Sequence, residues 1–132
     1  MIKKRLCQLL LPLCITVATA AYAGEPTLYY DQANKVCQML DKSVKLYQEK
    51  KIKEAYNISE SAYWDVYDSI MEIKYRPYVS PAEIFRIEDD FHNLSLLITP
   101  PPTPQKIAKL RTAVKNMCDE VQKEAKYLTQ HA

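Results

Sequence analysis

Glycine is nearly missing: 132 residues contain one, Gly24. A chain without glycine lacks the residue that lets backbone curl tightly around a phosphate or a nucleotide, so phosphate-cradling loops and backbone-lined ligand loops are excluded. Histidine is almost as scarce, with His92 and His131 alone, and the chain has no HExxH, GxSxG or paired Cys-His signature. No nucleophile with an adjacent base is in evidence, and the reading is a non-enzyme.

A basic surface is also missing once the first residues are set aside. "MIKKR", the apolar run "LCQLLLPLCITVATA" and "AYA" form the positive, hydrophobic and small-residue parts of a secretory signal peptide. The run is short for the roughly 20 residues of a spanning helix and contains Pro12, so cleavage after Ala23 is expected, with no membrane span afterwards. Acylation at Cys14 is rejected because bulky Leu13 precedes it. Removing residues 1–23 of 132 leaves 109, enough for one domain, 24–132, in the periplasm or outside the cell. Lys3, Lys4 and Arg5 leave with the leader, so 18 basic residues become 15 against 16 acidic ones, a net charge of −1. Electrostatic capture of nucleic acid is thereby excluded. Cys7 and Cys14 leave too, and in an oxidising compartment the remaining Cys37 and Cys118 read as one disulfide.

What is present is helical periodicity. Ala33, Val36, Cys37, Leu40, Val44 and Tyr47 set a helix over roughly 29–49. Ile52, Ala55, Tyr56, Ser59, Tyr63, Val66, Tyr67 and Ile70 set a second over roughly 52–74. In "RPYVSPAE", Pro77 is expected to push Arg76 out of helical geometry, while Ser80, Pro81 and Glu83 read as N-cap, first-turn proline and capping-box glutamate. The third helix carries Ile84, Ile87, Phe91, Leu94 and Ile98 and stops at "TPPPTP"; Thr103 and Pro104 open a fourth with the stripe Ile107, Leu110, Val114, Met117, Val121, Ala125 and Leu128. The fold class is all-α, an antiparallel up-down four-helix bundle with one disulfide; stacked helical hairpins are the runner-up. In the up-down arrangement Cys37 and Cys118 differ in level by only about 5 Å.

Two constellations are candidates for chemistry. In "SAYWDVYDSIMEIKY", a wheel at about 100° per residue puts Asp65, Asp68 and Glu72 on one outer face about 60° wide, opposite Tyr63, Val66, Tyr67 and Ile70. Such a face is ordinarily solvated, but carboxylates on adjacent turns also make an oxygen-rich surface for a cation. In "RIEDDFHN", Glu88 and His92 share a face at i, i+4, a spacing that serves either an ion pair or a transition metal. Most of the tyrosines fall at core spacing, so Tyr63 and Tyr67 read as buried or half-buried core residues with satisfied hydroxyls rather than as iron-binding tyrosinates.

The stretch 47–94, with "AYWDVYDSIME" and "EDDFHNL", resembles the extracytoplasmic helical domain of bacterial high-affinity iron permeases of the iron/lead transporter family. The resemblance implies iron uptake, with iron or another divalent or trivalent metal ion as cargo and a membrane iron permease as partner. The matching positions are Tyr63, Asp65, Asp68, Met71, Glu72, Glu88 and Phe91. Lys50 or Lys51 stands where the family has a first-turn glycine, and Ile70 where it has glycine before Met-Glu; no permease follows, so transport by this chain alone is excluded. The competing expectation is a ligand-free module docking onto a larger envelope or secretion complex.

Overall fold

The computed structural model describes residues 27–131; the leader read at 1–23 lies outside them. Four long helices follow one another with no strand among the described residues: α1 (Leu28–Gln48), α2 (52–75), α3 (Pro81–Leu96) and α4 (Pro104–His131). Helix α1 packs against both α2 and α4, whereas α3 rests mainly on α2 and touches α4 more lightly. None of these helices is long and apolar enough to cross a membrane.

The stripes expected on α1, α3 and α4 are buried as read, apart from half-buried Cys37 and Ile107. Cys37 and Cys118 form a pair at disulfide distance, with Cα atoms 5.3 Å apart. One turn above them, the Gln122 amide donates to Asn34 Oδ1 at 2.7 Å.

The helix ends follow local chemistry, with two corrections. Helix α1 ends in a paired-bond cap: Lys51 N–H reaches Leu46 C=O at 2.9 Å and Lys50 N–H reaches Tyr47 C=O at 3.0 Å. Lys50 itself takes φ 63°, the left-handed conformation glycine adopts more cheaply, at a cost of about 1 kcal/mol. Ser80 Oγ accepts from Glu83 N–H at 3.2 Å and caps α3 as expected. The other half of the capping box does not form, because the Glu83 carboxylate turns to Arg86 at 2.5 Å. Nor does Pro77 expel Arg76: its φ −46°, ψ −41° remain helical, a 3₁₀ turn runs over Arg76–Tyr78, and the chain straightens only at Val79. Four residues back the Arg76 side chain meets Glu72, an i, i+4 contact that favours helical backbone at both residues.

The largest departure is inside α2. It starts as an α-helix over Ile52–Ser61, continues as a π-helix over Ala62–Glu72, and closes with an α turn over Ile73–Tyr75. Bonding from i to i+5 adds about one residue per turn, so side chains fall progressively behind a 100° wheel. The buried positions show the slip: Ala62, Val66, Met71 and Tyr75 are spaced four, five and four apart. Ile70 is half-buried instead of core, Ile73 is 59% exposed, and Tyr56, read as core, lies on the surface.

Candidate functional site

The π segment rearranges the acidic face. Asp65 stays exposed and Asp68 half-exposed, but Glu72 is completely buried, so the three carboxylates do not share an outer surface. On an α-helix Tyr63 and Glu72, nine residues apart, would point about 180° away from each other. Two wider turns bring them onto one side, and the Tyr63 hydroxyl donates to Glu72 Oε2 at 3.0 Å. Tyr63 is a half-buried tyrosine with a satisfied hydroxyl, as read: its ring packs against Phe91, centroids 5.2 Å apart, while its hydroxyl serves the carboxylate. Tyr67 is core as expected.

Arg76 supplies the counter-charge. Its Nε donates to Glu72 Oε1 at 3.0 Å, its Nη2 meets the same oxygen, and Nη2 also lies 3.7 Å from Glu88 Oε1. Glu72 on α2 and Glu88 on α3 therefore converge on one guanidinium, whose side chain is 57% exposed. Burial and the neighbouring Glu72 carboxylate push the Glu88 carboxyl up, and Arg76 pulls it partly back. Burial, then the hydrogen bond to Glu72, pushes the Tyr63 phenol up as well, so it is a hydrogen-bond donor at neutral pH rather than a tyrosinate.

Beside this cluster, a groove of about 220 Å³ opens between α2 and α3, and Glu88 and His92 both line it. The i, i+4 ion pair between them does not form; the cationic partner of Glu88 is Arg76. The five candidate metal ligands are thus divided. Glu72 and Glu88 meet at Arg76, His92 faces the groove with Glu88, Asp68 is half-exposed, and Asp65 lies outside on the surface. Among the described residues no three His, Cys, Asp or Glu side chains are grouped closely enough to hold a metal ion. As folded, the donor set presents two carboxylates with an arginine already between them, so a metal ion requires that guanidinium to swing out.

Two features were missed. Glu124, inside the α4 stripe, is fully buried; the Tyr67 hydroxyl donates to its Oε1 at 3.2 Å, and its Oε2 has no partner. Burial pushes its carboxyl up to about 8, against the Tyr67 hydrogen bond and with help from nearby Glu120. The only sequence signal was a carboxylate three residues after Val121 and directly before Ala125. The second feature is a groove of about 500 Å³ between α3 and α4, away from every predicted ligand, with Leu94 and Met117 in its wall and Arg86 and Glu120 at its edge. No family model, curated protein or solved structure matches this chain.

Proposed function

We propose that this is an exported, non-enzymatic antiparallel up-down bundle that holds iron or another divalent or trivalent metal ion on its α2–α3 face, beside a membrane iron permease. The observation that carries the reading is the meeting of Glu72 and Glu88, from two helices, on a half-exposed arginine, with Glu88 also lining an open groove. A multivalent cation that displaces Arg76 gains two carboxylates at once, with Asp68 and His92 as the nearest further donors in the predicted set. The resemblance over 47–94 supplies iron as cargo, and the sequence of residues 1–23 supplies export. The Asn34–Gln122 and Cys37–Cys118 pairings, in opposite chain order, support the up-down path.

Calorimetric titration of residues 24–132 with Fe(II), Fe(III), Mn(II), Cu(II) and Zn(II) tests the reading. Saturable binding is expected, weakened at least tenfold by Glu88→Gln and unaffected by Asp65→Asn. Absence of saturable binding for every ion removes the metal role. A docking module without a ligand is the second reading, and exposed Trp64, Ile73 and Phe85, each about 60% accessible, favour it. Affinity capture that retains one envelope partner and is lost in Phe85→Ser distinguishes the two.

A further inference from the structure

The groove between α2 and α3 carries more than its two metal candidates. Part of its lining is aromatic, Tyr63 and Trp64 from α2 and Phe91 from α3, with Tyr63 and Trp64 rings 4.8 Å apart at 78°. The rest is acidic, from Glu60, Glu88 and Asp89, with His92 completing it. No lysine or arginine lines it, and among the described residues neither Glu60 nor Asp89 has a basic partner. Trp64 is 60% exposed, yet it is oriented: its indole N–H donates to Glu60 Oε2 at 3.2 Å. That bond turns the edge of the ring to the acid and leaves the indole face available.

We propose that this groove is a binding site for an organic cation, an alkylammonium or guanidinium group lying against the Trp64 and Tyr63 rings and neutralised by Glu60 and Asp89. The negative faces of aromatic rings attract a cation, tryptophan most strongly, and the carboxylates supply the charge complement. About 220 Å³ accommodates one such headgroup and little more. A bare, strongly hydrated metal ion gains little from indole, whereas an alkylated cation places its carbon surface on the rings and its charge near the acids. Glu60, Asp89 and Trp64 belong to no part of the metal proposal, so the two readings stand or fall separately.

Trp64 is the only tryptophan of the chain, and its fluorescence therefore reports this groove directly. Purified protein is titrated with tetramethylammonium, butylammonium and ethylguanidinium, with 3,3-dimethylbutanol as uncharged control and a blocked Gly-Lys-Gly peptide as a protein-borne amine. A saturable change for at least one cation, absent for the alcohol, is expected. The Glu60→Gln/Asp89→Asn variant, altered only at groove-lining acids, is expected to bind at least tenfold more weakly with an unchanged circular dichroism spectrum. Saturation with the free cations points to a small-molecule ligand; saturation with the peptide alone points to a lysine on a protein partner. Equal responses to cation and alcohol, only linear quenching by every probe, or full affinity in the double variant would overturn the site.

Discussion

Glu72 and Glu124 are both completely buried, and the chain answers them in opposite ways. Glu72 receives a guanidinium and a phenol, Arg76 and Tyr63, and all its buried oxygens are engaged. Glu124 receives only the Tyr67 phenol; no cation reaches it, one oxygen is left over, and its carboxyl holds a proton up to about pH 8. A carboxyl taken out of water needs either a counter-charge or a proton, and this molecule uses each solution once. The counter-charged one lies beneath a guanidinium whose own side chain reaches solvent. The protonated one sits inside the bundle, where the exchangeable species is H⁺.

The contrast can be broken most strongly by pH. The folded Glu124 value near 8 stands above the ordinary 4.5, so between those values the folded state binds the extra proton and stability falls as pH rises, by up to about 1.4 kcal/mol per pH unit. Urea unfolding of the parent and Glu124→Gln is expected to agree within about 1 kcal/mol at pH 5 and to separate by about 4 kcal/mol in favour of the variant at pH 9. Parallel pH profiles would show that Glu124 finds a cation in solution. Next in size, Glu72→Gln loses the charge-assisted bonds to Arg76 and is expected to cost about 2 kcal/mol at pH 7, measured by the same unfolding. An unchanged midpoint would mean the Arg76 clamp contributes nothing. The smallest contrast compares the two phenols: Tyr63→Phe leaves Glu72 its arginine and should cost about 1 kcal/mol, whereas Tyr67→Phe strips Glu124 of its one donor and should cost about 2. Equal losses would remove the asymmetry.

How much of this was legible in the sequence depends on winding. Helices α1, α3 and α4 keep α-helical pitch, and there periodicity alone places Leu40, Phe91, Val121 and their neighbours in the core. Across 62–75 both registers are apolar, Tyr63 and Ile70 on the α path and Met71 and Tyr75 on the π path, so hydrophobicity could not choose. The π path buries Glu72 and creates the candidate site, while a wheel of fixed pitch turns the same residue to solvent. Glu124 was illegible for another reason: a stripe drawn through apolar residues passes over a polar one that is neutralised, because only burial and the lack of a cation reveal that it carries a proton.

The Cys37–Cys118 pair spans 81 positions and has a topological consequence. Once that bond is made, everything from the middle of α1 to the middle of α4 is a covalent ring, with Tyr63, Glu72, Arg76, Glu88 and His92 all on its circumference. A single proteolytic nick in a connector such as 49–51 or 99–103 opens the ring without releasing a fragment. The nicked chain stays one molecule until it meets a reductant, so under oxidising conditions the α2–α3 face can survive a cut that would divide a linear bundle in two.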